Sequence, residues 1–147
     1  MQRSDLLTIL YADSDEASRE FVTNWLRVNA RSYLLTHAAN GTEVLTRLKK
    51  NLFDLYLFDY CLVDMTGPEL CRYVRAIDAK SPVLICSPFD RGIDRRMAMA
   101  AKATEFIVKP EGFERLANIM DSLLHNMPKP HRRNGHISSQ RRSAAII

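Results

Sequence analysis

No apolar run in this 147-residue chain approaches the roughly 18 to 20 residues that a membrane-spanning helix needs. The opening residues, MQRSDLLTIL, lack the long apolar stretch and small-residue cleavage site of a secretory signal. Both absences point to a cytoplasmic protein with no membrane partner. Cysteine is scarce: Cys61, Cys71 and Cys86 are an odd number without metal-ligand spacing, so they read as reduced, packed thiols. No glycine-rich phosphate loop follows the first apolar run, which argues against a small-molecule enzyme built around one. Acids are missing altogether after Asp121. The formal charge of +4 therefore belongs to the last stretch, where Lys129, Arg132, Arg133, Arg141 and Arg142 stand unopposed; the rest is close to neutral. That stretch has no aromatic residue to stack on bases, so a nucleic-acid partner is not expected and a solubilising tail is.

What remains is an ordinary globular composition, 46% apolar, in a chain of one-domain size. Strand and helix patterns alternate along it. LLTILYA at 6–12 reads as a strand buried on both faces. Residues 15–29 switch to helical spacing, with Ala17, Phe21, Trp25 and Val28 on one stripe and Val22 beside it. SYLLTHA is a second strand. In the helix that follows, Asn40 and Glu43 stand in capping-box relation, and Val44, Leu45 and Leu48 share a face. DLYLFD is a third strand. TGPELCRYVRAI starts a helix cleanly, with Thr66 as cap, Glu69 reaching back and Pro68 in the first turn. PVLICS, RGIDRRMAMAAKA, EFIVKP and FERLANIMDSLLHNM complete the series, the last with Phe113, Leu116, Met120, Leu123 and Met127 on its buried stripe. Five βα units predict an α/β fold, a (βα)5 doubly wound parallel sheet with helices on both faces. Residues 128–147 carry no sustained periodicity and read as a mobile tail or linker.

A parallel sheet puts its functional groups in the crevice at the carboxyl ends of its strands. Four polar residues fall there: Asp13, Asp59, Ser87 and Lys109. Paired carboxylates can hold a hard cation, a lysine can neutralise a phosphoryl oxygen, and a hydroxyl can hydrogen-bond another. One carboxylate can itself be the nucleophile that forms an aspartyl phosphate. Taken singly, Asp13 or Asp15 could cap the first helix, Ser87 could be a turn residue and Lys109 a solvated cation. Their joint occurrence at four strand ends favours a site.

In this order and spacing the motifs resemble the receiver domain of bacterial two-component response regulators, over roughly residues 7 to 127. ILYADSDEASRE is similar to the family's first strand with its acid pair. FDLYLFDYCLVDMTGPEL is similar to the phosphoacceptor strand and loop, PVLICS to the strand that ends in the switch hydroxyl, and FIVKP to the Lys-Pro strand end. The resemblance implies a CheY-like, flavodoxin-like fold with strand order 2-1-3-4-5, a receiver domain at 1–127 and a basic tail at 128–147. It makes Asp59 the phosphoacceptor, Ser87 the switch hydroxyl, Lys109 the phosphoryl contact and Phe106 the switch aromatic. It implies Mg²⁺ held by Asp13, Asp59 and the Cys61 backbone carbonyl, and a cis bond before Pro110. The partners it implies are a histidine kinase or phosphotransfer protein, and an output partner or second copy meeting the fourth helix, fifth strand and fifth helix. Such a domain is a signalling module, catalysing at most its own phosphorylation and dephosphorylation.

Three departures stand out. Ser14 takes the second position of the acid pair, which usually ligates the metal, so Mg²⁺ binding should be weak. Asp15 is one residue late and should face the helix N-terminus. Pro88 follows Ser87 where a small residue is usual, and Val63 stands where the loop often has proline. Two readings follow: a working receiver with weakened metal binding, or a receiver-like module that has lost phosphorylation and acts by binding partners. Retention of Asp59, Ser87 and Lys109 favours the first.

Overall fold

The computed structural model describes residues 6–126. The expected basic segment at 128–147, and Met127 of the last helix stripe, lie outside them. Strand β1 (Leu7–Ala12) is followed by α1 (Glu16–Asn29), β2 (Tyr33–Ala38), α2 (Gly41–Leu48), β3 (Leu55–Asp59), α3 (Gly67–Ile77), β4 (Val83–Ser87), α4 (Gly92–Ala100), β5 (Glu105–Val108) and α5 (Phe113–Asn126). The strands form one parallel sheet in the order β2-β1-β3-β4-β5. The flavodoxin-like α/β fold, its five units and its strand order are thus as the sequence implied. No helix among the described residues is long and apolar enough to cross a membrane.

All six residues of β1 are buried because the strand is covered on both faces. Successive side chains alternate between two cores. Leu10 and Ala12 join Tyr56, Phe58, Leu70, Val74 and Ile85 on one side. Ile9 and Tyr11 join Val22, Leu26, Leu57, Phe113 and Met120 on the other, under α1 and α5. Cys71 and Cys86 are buried as expected, but Cys61 is exposed, because it lies in the loop after β3 rather than in a strand.

The expected buried stripe of α1 is displaced by about one residue. Val22 and Leu26 are the buried pair, whereas Phe21 is 46% exposed and Val28 80% exposed. The i, i+4 row of Val22 and Leu26 faces the sheet, and Phe21 and Trp25 lie on its flank. There their rings meet Phe113 of α5, at centroid distances of 6.0 and 5.2 Å. Apolar residues on both sides of the helix arc made the two registers hard to separate by periodicity alone.

The helix starts are set locally. Thr66 and Glu69 form both halves of a capping box, with Pro68 in the first turn of α3. At α2, Asn40 accepts from the Glu43 N–H at 2.9 Å, but the Glu43 carboxylate reaches past the cap to the Ala39 N–H at 2.8 Å. Gly67 allows α3 to begin against the end of β3: a Cβ there would lie 2.8 Å from the Asp59 carbonyl oxygen. The Lys109–Pro110 peptide is cis, as the resemblance implied.

Candidate functional site

Asp59 and Ser87 are the last residues of β3 and β4; Asp13 and Lys109 come immediately after β1 and β5. Ladder hydrogen bonds carry the pairing onto these ends, from the Asp13 N–H to Ala38 and from the Lys109 N–H to Ser87. All four line one cleft of about 680 Å³ with Asp15, Ser18, Cys61 and Pro88. The parallel topology has therefore brought together four residues that span 97 positions of sequence.

Lys109 Nζ lies 2.7 Å from Asp59 Oδ1, 3.0 Å from Ser18 Oγ and 3.5 Å from Asp13 Oδ2. Burial alone would lower its pKa, but the Asp59 and Asp13 carboxylates outweigh that and hold it above its ordinary value as an ammonium. Asp59 Oδ2 accepts from the Cys61 N–H at 3.2 Å. Burial lifts the Asp59 carboxyl above the ordinary range; the Lys109 ammonium pulls it down only in part, and the Asp13 charge adds to the lift.

Asp13 is 1% exposed and heavily solvated by protein. Its Oδ2 accepts from the Ser18 hydroxyl at 2.7 Å and the Tyr11 phenol at 2.8 Å, and its Oδ1 from the Asp15 N–H at 3.0 Å. Burial pushes this carboxyl up, but the Ser18 and Asp15 hydrogen bonds, Lys109 and Tyr11 together hold it below the usual range. Burial and the Asp13 charge raise the Tyr11 phenol far above its ordinary value, so it is always a donor. Ser18 and Tyr11 were not among the candidates read from the sequence. Tyr11 had a legible signal, since residues two apart in a strand share a face. Ser18 lies five residues past Asp13, in the first turn of α1, and had none without the docking of that helix.

Asp15 caps α1, its Oδ2 accepting the Ser18 N–H at 2.8 Å, and so does not replace the missing acid. Ser14 donates to the Ala39 carbonyl at 2.7 Å and accepts from the Val63 N–H at 3.0 Å. Ser87 Oγ accepts from the Phe89 N–H at 3.1 Å. Phe106 is buried at 7% exposure, with the Tyr60 ring edge-on at 6.3 Å and the Arg95 guanidinium 4.9 Å from its centroid.

Residues 9–121 match the family model described as the response regulator receiver domain. The chain belongs to that family. Receiver domains are signalling domains rather than enzymes in the usual sense. The receiver is 30% identical over 118 residues to the response regulator MprA of Mycobacterium avium, a match covering 80% of this chain and 51% of the relative. The MprA of Mycobacterium tuberculosis is 30% identical over 116 residues, 79% of this chain and 50% of the relative. The chain thus spans about half the length of the curated relatives it matches. Among solved structures, it resembles the chemotaxis response regulator CheY4 of Vibrio cholerae at 26% identity and TM-score 0.69, over 80% of this chain and 98% of that one. It shares its fold with the response regulator TrrA of Thermotoga maritima, solved in complex with Mg²⁺–BeF, at 23% identity and TM-score 0.69, over 80% and 99%.

The donor set of this receiver can be tested against the family's Mg²⁺. Among the described residues no three His, Cys, Asp or Glu side chains converge to hold a metal. Asp13 Oδ1 and Asp59 Oδ2 each take a single N–H, which leaves each oxygen with a lone pair. Those two oxygens make a sparse, hard, anionic pair. Such a pair suits an ion that keeps several of its waters.

Proposed function

We propose that this receiver accepts a phosphoryl group on Asp59 from the phosphohistidine of a kinase or phosphotransfer protein. The observation that carries the reading is the Lys109 ammonium set 2.7 Å from the Asp59 carboxylate at the floor of an open cleft. An Asp59 oxygen attacks phosphorus, the P–N bond of the phosphohistidine breaks, and the imidazole leaves with the bond's electron pair. Catalysis here is positioning and charge neutralisation. Lys109 moves from the carboxylate to a phosphoryl oxygen, and Ser18 and Asp13 keep its ammonium aimed into the cleft. Ser87, whose Oγ now accepts from Phe89, turns its proton toward another phosphoryl oxygen. Asp13, Asp59 and the Cys61 carbonyl would hold weakly bound Mg²⁺, which supplies neutralisation of the remaining charge on the group in transfer.

The change at Ser87 is read out by Phe106, which packs beneath the Arg95 guanidinium of α4. The face of α4, β5 and α5 then alters its contacts with an output partner or a second copy. Intact mass after acetyl phosphate treatment tests the reading. One phosphoryl adduct forms on the native chain and none on Asp59→Asn; an adduct that survives in the variant refutes Asp59 as acceptor. An absence of any adduct on the native chain leaves the partner-binding module as the better reading.

A further inference from the structure

The residue that departs most from the family pattern bonds to two distant loops. Ser14 Oγ gives its only proton to Ala39, 25 residues on, at 2.7 Å, and takes the N–H of Val63, 49 residues on, at 3.0 Å. One hydroxyl thereby joins the three loops that follow β1, β2 and β3. Asp64, next to Val63, ties the loop after β3 a second time, to the start of α2. Its Oδ1 accepts the Gly41 N–H at 2.9 Å, and its Oδ2 accepts the Thr42 N–H at 2.9 Å and the Thr42 hydroxyl at 2.7 Å.

A carboxylate at position 14 could accept from Val63, but it has no proton for Ala39 and would set a negative charge against that carbonyl. A divalent cation between the loops would relieve this repulsion; serine never creates it. We propose that Ser14 is a positioning residue that orders the loop after Asp59 without a divalent cation. The acceptor loop is assembled before any ion arrives, and the weak cation affinity of the two remaining carboxylates is compatible with a formed site.

The inference does not require phosphoryl transfer, so its test is separate from the one above. The probe is Mg²⁺ alone, added to the full chain after EDTA, with hydrogen exchange of the Val63 amide followed by NMR and melting followed by circular dichroism. In the native chain, Val63 is protected in EDTA, its exchange rate does not change at millimolar Mg²⁺, and the melting temperature rises only by the small amount that weak binding gives. Ser14→Ala exchanges Val63 about tenfold faster, the scale of one net hydrogen bond. Ser14→Thr, which keeps the hydroxyl, restores protection and serves where the alanine variant does not fold. Ser14→Asp protects Val63 only once Mg²⁺ is added, and its melting temperature rises more steeply with Mg²⁺ than the native one. Native Val63 that is unprotected in EDTA and slows on adding Mg²⁺, or an alanine variant that exchanges at the native rate, would overturn the proposal.

Discussion

Replacing Ser18 by alanine removes one hydroxyl and two contacts: its donation to Asp13 Oδ2 at 2.7 Å and its acceptance of Lys109 at 3.0 Å. Asp13 is buried, so water cannot replace the lost donor, and a hydrogen bond to a charged group contributes about 1.5–3 kcal/mol. A domain of this size loses about 4 °C of melting temperature per kcal/mol, so the drop at pH 7 should be about 6–12 °C. The pH dependence identifies the group responsible. Because the folded pKa of Asp13 is depressed, its contribution is complete above the unfolded value near 3.9 and is lost as pH falls through the folded value. The gap between native and Ser18→Ala should therefore be the same at pH 7 and pH 5 and close only below about pH 4. Circular dichroism melts and urea titrations across that range measure it. A drop under about 2 °C at neutral pH, well below the scale above, would refute the reasoning. So would a gap that already narrows between pH 7 and pH 5, since the group lost would then not be Asp13.

Leu26→Ala should cost about 2–5 kcal/mol by opening a cavity under α1, whereas Val28→Ala should cost under about 0.5 kcal/mol, which urea denaturation separates easily. His37 lies with its ring 5.7 Å from Tyr11 and its Nε2 3.3 Å from the Asp13 carbonyl. Burial first, with the Arg19 charge, holds its pKa below 6.5. The fold therefore favours the neutral ring, and stability attributable to His37 should fall as pH drops from about 6.5 toward the folded value. An NMR titration that puts His37 above 6.5 would contradict this.

Capping and phase were unequally legible. Thr66, Pro68 and Glu69 announced the start of α3 because capping involves only neighbours in sequence. The buried face of α1 differs by one residue from the stripe its periodicity predicts, because its aromatic residues pack sideways on Phe113 instead of inward on the sheet. Glu43 was correctly placed beside a cap, but its carboxylate bonds one residue earlier than the motif suggests.

The sequence by itself determined the five alternating units and the four polar strand ends, because hydrophobic period and strand-terminal position are properties of short segments. Parallel order then required Asp13, Asp59, Ser87 and Lys109 to share one edge. Only the tertiary structure decided how they interact there. Ser18 enters the site because α1 docks by its Val22 and Leu26 row, which turns the preceding helical turn toward Asp13 and Lys109. Ser14 appeared in the sequence as a lost charge. Its partners at Ala39 and Val63 come from loops 25 and 49 residues away, and no local pattern encodes a contact that exists only once three strands have been set side by side.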